Sequence, residues 1–246
     1  RGDVYWIDVI DTKPIGVVLL YAGFQKVFGS AIWILRVIPS VVIGLTAFFL
    51  YAGMRKLDGR PRVAFASGLI YLLLNIIYTH YGVSPNTETY FVFFSAVAFW
   101  LLVSYDRWLT VTLAGLLLGF GFLIKYVVLF DALTLGVFWL ILQRKGGVSW
   151  GKVLRNGFSM AMAFSLPFLG VLSWYASSGY LQEFFFYTFS VSGEYPQEAG
   201  TLDYFIFVLD FYGRFLPVTL FFWFAFRHQE TPGDVKYLGV CWSVMC

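Results

Sequence analysis

The chain has 246 residues, 59% of them hydrophobic and 22% aromatic, with only 13% charged. Soluble domains carry about 25% charge, so this composition excludes a soluble globular protein and points to a polytopic membrane protein. A net charge of +3 fits loop-anchoring Lys and Arg rather than nucleic-acid binding.

The chain opens on an acidic, aromatic segment (Asp3, Tyr5, Trp6, Asp8, Asp11) that ends in Asp11-Thr12-Lys13-Pro14. The amphipathic run Ile15–Phe28 follows. It contains Gln25 and Lys26 and falls short of the roughly 20 apolar residues that a membrane crossing needs. Pro14 at the first turn and Gly29 at the end predict a helix lying on the membrane surface.

Candidate spans follow at Ile34–Met54, Val63–Thr79, Tyr90–Val103, Leu109–Ile124, Val127–Leu142, Phe158–Ala176 and Tyr204–Phe226, with a further one starting at Tyr237. The expected fold class is an all-α polytopic membrane protein. It would have about seven or eight transmembrane helices and one outer interfacial helix. The predicted organisation is a single membrane-embedded domain. Residues 1–29 form the first outer loop and interfacial helix, 34–226 the bundle, 177–203 an outer loop, and 237–246 a truncated span.

Basic residues fix the orientation. Arg55-Lys56-Leu57-Asp58-Gly59-Arg60-Pro61-Arg62 marks a cytoplasmic loop, and Gln143–Asn156 (Arg144, Lys145, Lys152, Arg155) and Arg227–Lys236 read the same way. Alternation then places the Asp11–Lys13 segment, His80–Glu88, Lys125 and Ser177–Asp203 on the outer side.

Ionisable groups within or beside spans are expensive and point to function. Lys125 interrupts two apolar runs; it is either a snorkelling lysine or a site residue, and Asp131 could pair with it. Asp210 and Arg214 are spaced for an ion pair within one helix. Arg36, at the entrance of a span, either anchors it or binds phosphate through its guanidinium. Glu88 follows Asn86 and Thr87, so it either favours a helix N-terminus or contributes a carboxylate to a site. Glu183, Glu194 and Glu198 lie among the aromatics of the long outer segment. His80 and His228 are isolated, and Cys241 and Cys246 form neither a disulfide framework nor a metal spacing.

Several motifs recur in one order. They are Gly2-Asp3, Asp11-Thr12-Lys13-Pro14, Phe28-Gly29, Arg36-Val37-Ile38-Pro39-Ser40, Asn86-Thr87-Glu88 and Gly121-Phe122-Leu123-Ile124-Lys125. This series resembles the polyprenyl-phosphate-dependent glycosyltransferases of the membrane-embedded GT-C type. That superfamily holds the dolichyl-phosphate-mannose protein mannosyltransferases (glycosyltransferase family 39) and the lipid A aminoarabinose transferases. The resemblance covers about the first 130 residues, and beyond them only hydropathy agrees.

The resemblance implies a sugar transferred from a polyprenyl-phosphate or polyprenyl-diphosphate donor to an envelope glycan, lipid or protein acceptor. The reaction would occur on the outer, periplasmic face of a bacterial inner membrane. It implies Lys13 as ligand of the donor phosphate, with Arg36 and Lys125 contributing, and Glu88 and Asp11 as catalytic carboxylates. No cofactor is implied with certainty, and a divalent metal stays open because some relatives use one and others do not. The family's principal acid lies upstream of the Gly-Asp. The sequence opens at Arg1 without an initiator methionine and ends in a hydrophobic stretch, so it is expected to be an inactive fragment. A transporter or lipid-linked sugar flippase subunit is the alternative, and a scaffold whose polar residues only satisfy one another is a third reading.

Overall fold

A computed structural model describes residues 4–76, 86–191, 200–227 and 232–245. Among these residues there are helices and no strand. They are α1 (Ile15–Phe28), α2 (Ile34–Leu57), α3 (Pro61–Ile76), α4 (Thr87–Ser104), α5 (Trp108–Ile124), α6 (Val128–Lys145), α7 (Trp150–Ser177), the short α8 (Leu181–Phe185), α9 (Thr201–Arg227) and α10 (Gly233–Met245), with a π-helical turn at Phe186–Ser190. The expected all-α polytopic membrane fold is what the chain forms.

The helices extend further than the apolar runs suggest. α7 begins at Trp150 rather than near Phe158, and Arg55, Lys56, Arg144 and Lys145 lie in the last turns of α2 and α6. Hydropathy marks only the stretch suited to lipid, whereas the hydrogen-bond ladder continues into the polar zone. There, cations at a helix C-terminus are favoured by the dipole. The basic loop expected at Gln143–Asn156 therefore shrinks to the turn between Lys145 and Trp150. The expected outer loop Ser177–Asp203 is likewise partly helical, through α8 and the π turn. Three described helices, α2, α4 and α7, are long and apolar enough to cross a membrane, and α1, α3 and α5 are shorter apolar helices.

Side-chain pairs show the directions. α5 and α7 run parallel, since Thr112 meets Ser159 and Phe122 meets Phe164 and Phe168. α4 opposes α5, with Phe94 near Phe120. Close approach depends on missing side chains: a Cβ on Gly115 or Gly119 would lie 2.2 Å from the carbonyl oxygen of Met160 or Phe164. Small residues of this kind let membrane helices pack backbone to backbone. The core beneath them contains Leu118, Val128, Leu135, Phe138, Trp139 and Val153, all essentially inaccessible.

The starts of α2, α4 and α6 and the ends of α5 and α7 consequently share one end of the bundle. The basic residues of α2–α3 and α6–α7 share the other.

Candidate active site

The first described segment is held by an unusual residue. Trp6 has φ 67°, the left-handed region that bulky residues rarely adopt. The carbonyl of Val4 accepts the amides of Ile7 (3.2 Å) and Asp8 (2.8 Å), and the Asp8 carboxylate accepts the Val4 amide at 2.7 Å. Such a conformation costs about 1–3 kcal/mol. The offset is visible in the packing. The Trp6 indole is 2% exposed, with its ring 5.9 Å from Tyr175, 5.8 Å from Phe184 and 6.1 Å from Tyr187. An aromatic side chain buried this way contributes more than the strain costs.

With Trp6 seated, the following residues are drawn in. Its Nε1 donates to the Asp11 carbonyl (3.0 Å), and Oδ1 of Asp11 accepts the amides of Thr12 (2.7 Å) and Lys13 (3.3 Å). The Tyr5 hydroxyl donates to the Lys13 carbonyl at 2.8 Å, and Tyr175 of α7 donates to the Tyr5 carbonyl at 2.7 Å. Burial, and then the Asp11 charge, push the Tyr5 phenol well above its ordinary value, so it remains a donor. The Lys13 side chain is left exposed.

α1 then crosses the ends of the bundle. Ile15 packs with Leu123, Tyr175 and Phe184; Val17 packs with Ile124 and Tyr90. Tyr21 and Phe24 put their rings 5.8 and 5.9 Å from Tyr90, and Phe24 and Phe28 line a cavity with Ile34 and Ile38. The helix thus touches α7, α5, α4 and α2 in turn, each at the same end. A crossing helix would instead follow one neighbour along its length. Gly16 permits the contact, because a Cβ there would lie 2.4 Å from the Leu123 carbonyl group. This is the lateral helix expected from the short amphipathic run.

Under α1 the structure brings two of the expected residues together. α5 ends with the Lys125 amide donating to the Gly121 carbonyl (3.0 Å), and α6 starts at Val128. Glu88 occupies the first turn of α4, which Asn86 caps by accepting the Thr87 amide at 3.0 Å. Lys125 Nζ and Glu88 Oε1 form an ion pair, while Glu88 Oε2 accepts from the Thr87 hydroxyl at 2.9 Å. The ammonium also lies 5.9 Å from the centre of the Phe91 ring. The two side chains are 41% and 45% exposed. A pair so open to solvent contributes about 0–1 kcal/mol to stability, so its placement matters more than its strength. Lys125 pairs with Glu88, and Asp131 receives a hydrogen bond from Ser95 at 2.6 Å.

Asp11 and Lys13 reach the same end of the bundle through the Gly16–Leu123 contact, two residues from Lys125. Arg36 is exposed in the first turn of α2, at the far end of α1 from Lys13, about 20 Å of helix away. Asp210 is exposed on α9, and the Arg214 side chain lies outside the described residues, as do Gly2-Asp3, His80, Glu194, Glu198, His228 and Cys246. No group of three or more His, Cys, Asp or Glu side chains placed to hold a metal ion occurs among the described residues.

The sequence named Tyr5 and Trp6 only as part of the acidic, aromatic opening segment, and Tyr126 and Tyr175 had no role there. In the structure Tyr5, Trp6 and Tyr175 pack together beside the Asp11–Lys13 turn. Tyr126 lies close to both Tyr5 and Thr188, and burial raises its phenol. One signal was available: Tyr126 directly follows Lys125.

The geometry accords with the comparisons to known proteins. The sequence model of the dolichyl-phosphate-mannose-protein mannosyltransferase family matches residues 12–174, more than half of the chain. The undecaprenyl phosphate-α-4-amino-4-deoxy-L-arabinose arabinosyl transferase 2 of Pseudomonas fluorescens is 29% identical over 185 residues, covering 71% of this chain and 31% of that protein. The corresponding arabinosyl transferase of Pseudomonas paraeruginosa is 28% identical, covering 66% of this chain and 30% of its own length. A third, from Pseudomonas savastanoi pv. phaseolicola, is 32% identical over 121 residues, 47% of this chain and 22% of that protein. The chain spans about a third of the length of the first two of these relatives. No solved structure gives a significant match. The chain belongs to the dolichyl-phosphate-mannose-protein mannosyltransferase family.

Proposed function

We propose that this protein transfers a sugar from a polyprenyl-phosphate donor to an acceptor at the membrane surface, at the end of the bundle crossed by α1. The observation that carries the reading is the Glu88–Lys125 pair, half exposed beneath α1 and close to the turn that presents Lys13. The names of the relatives, undecaprenyl-phosphate aminoarabinose transferases, support a donor of this class and a hexosyl or pentosyl group.

The chemistry requires both charges. The acceptor oxygen or nitrogen attacks the anomeric carbon, and the bond from that carbon to the phosphate oxygen breaks. The electron pair leaves with the phosphate. Lys13 and Lys125 stabilise the charge that develops on it, and a charge-assisted contact to phosphate is stronger than a neutral one. Glu88 accepts the proton that the acceptor loses. For that to happen the donor phosphate draws Lys125 away from Glu88, freeing the carboxylate as the leaving group arrives. Arg36, a helix length from Lys13, anchors the entrance of α2.

The basic residues Arg55, Lys56, Arg144, Lys145, Lys152 and Arg155 gather at the opposite end of the bundle. By the positive-inside tendency that end is cytoplasmic. The site then faces the periplasm from a bacterial inner membrane, and the acceptor is an envelope glycan, lipid or protein.

The test follows labelled sugar from a polyprenyl-phosphate carrier into acceptor, using membranes that hold the full-length protein. Transfer by the wild type and its loss in Lys13→Ala are expected. A wild type that moves no sugar from any such carrier would refute the reading, and export of an intact lipid-linked sugar would favour a flippase.

A further inference from the structure

Lys13 is an exposed residue in a surface turn, yet both polar groups of its backbone are fixed. Its amide is held by the Asp11 carboxylate and its carbonyl by the Tyr5 hydroxyl. The second contact is tied to the bundle, because Tyr175 of α7 holds the Tyr5 carbonyl at 2.7 Å and is itself fully buried. A line of hydrogen bonds therefore runs from the interior of α7 through Tyr5 to the backbone of Lys13. Trp6 adds a parallel tie to the Asp11 carbonyl at 3.0 Å.

A turn that only linked two elements could satisfy these backbone groups with water, since Lys13 is open to solvent. Protein partners on both sides fix where the ammonium begins. That is useful when the amine must meet a small anion, because holding the binding group in place removes part of the ordering cost of association.

The arrangement also bears on Asp11. Oδ1 accepts two consecutive amides, those of Thr12 and Lys13, in an Asx-type turn. This use of the carboxylate shapes the chain and needs an acceptor oxygen, not a negative charge.

We propose that Asp11, Tyr5 and Tyr175 are positioning residues for Lys13, and that Asp11 takes no proton in the reaction. Together they hold the Lys13 backbone against α7 so that its ammonium meets the phosphate of the polyprenyl donor. This rests on the reading of Lys13 as a phosphate ligand.

The experiment uses the full-length protein in lipid nanodiscs, with a short-chain polyprenyl phosphate as the binding probe. It records Kd, sugar-transfer kcat and KM, and thermal unfolding. Asp11→Asn keeps an acceptor oxygen and removes the charge, whereas Asp11→Ala removes both. Expected are Kd and KM within about two-fold of wild type for Asp11→Asn. For Asp11→Ala, Tyr5→Phe and Tyr175→Phe they rise roughly three- to ten-fold, the scale of one lost hydrogen bond, with kcat nearly unchanged.

A fall in kcat of roughly 100-fold or more in Asp11→Asn, the scale of a lost general base, would overturn the proposal. So would Tyr5→Phe and Tyr175→Phe variants that melt earlier but bind the probe as wild type does. If no sugar is transferred but the binding pattern appears, the positioning role stands and the transferase reading falls.

Discussion

The two ends of the bundle use charge differently. At the basic end, cations meet carboxylates directly: Arg60 with Asp58, Lys145 with Asp234 at 2.5 Å, and Lys152 with Asp106 at 2.9 Å. Arg144 lies over the Trp150 ring at 4.3 Å. These contacts tie neighbouring helix ends and turns together. At the end crossed by α1, the acidic groups Asp8 and Asp11 bind backbone amides and leave the exposed Lys13 side chain facing solvent. Among the described residues there, Glu88 and Lys125 form an ion pair, and both remain nearly half exposed. At the basic end charged side chains pair with one another; at the other end backbone amides take the carboxylates of Asp8 and Asp11 and the Lys13 side chain is left exposed.

The comparison can be broken by moving from one end to the other. The largest effect is expected for Lys125→Met, which removes the cation proposed to face the leaving group. Losing such a group lowers kcat by roughly 100- to 1,000-fold, measured as sugar transfer in membranes, with little change in thermal unfolding. Trp6→Ala comes next. It empties the aromatic seat of the Lys13 turn, costs about 3–5 kcal/mol locally, and should appear as faster hydrogen exchange of residues 4–13.

Gly16→Val pushes a side chain into the Leu123 backbone and is expected to cost about 1–3 kcal/mol, read as a lower melting temperature together with weaker donor binding. At the basic end, Lys152→Met should change stability by only about 0–1 kcal/mol and leave transfer untouched. A loss of transfer there would blur the distinction between the two ends.

The smallest effect concerns pH. The Arg60 guanidinium, through hydrogen bonds, holds the Asp58 carboxyl below its ordinary value. A carboxylate lowered in the folded state contributes stability that is full above its unfolded value, about 3.9, and is lost as the pH falls through the lowered folded value. Asp58→Asn should therefore lower the melting temperature slightly at neutral pH and flatten the acid limb of the melting curve below about pH 4.

Much of this was legible in the sequence, and for physical reasons. Apolar runs locate helices because lipid leaves the backbone no other partner. The lateral α1 followed from a run too short to span that was framed by Pro14 and Gly29. Glu88 and Lys125 were each marked as costly in an apolar setting, but 37 positions separate them. Periodicity carries no information on which ends of α4 and α5 meet, so Asp131, nearer in sequence, stood as one possible partner and Glu88 did not come forward as another. The tyrosine contacts to Lys13 were invisible for a related reason. They engage backbone carbonyls, which every residue has, and they depend on Trp6 adopting a conformation that its residue type disfavours.

The most direct test of the account measures Glu88→Gln in the full-length protein, with sugar transfer and polyprenyl-phosphate binding read on the same sample. The substitution keeps the shape of the side chain and removes its capacity to take a proton. Transfer is predicted to fall by roughly 100- to 10,000-fold while binding stays close to wild type. Transfer at the wild-type rate would contradict the assignment of Glu88 as the base and, with it, the role given to the Glu88–Lys125 pair.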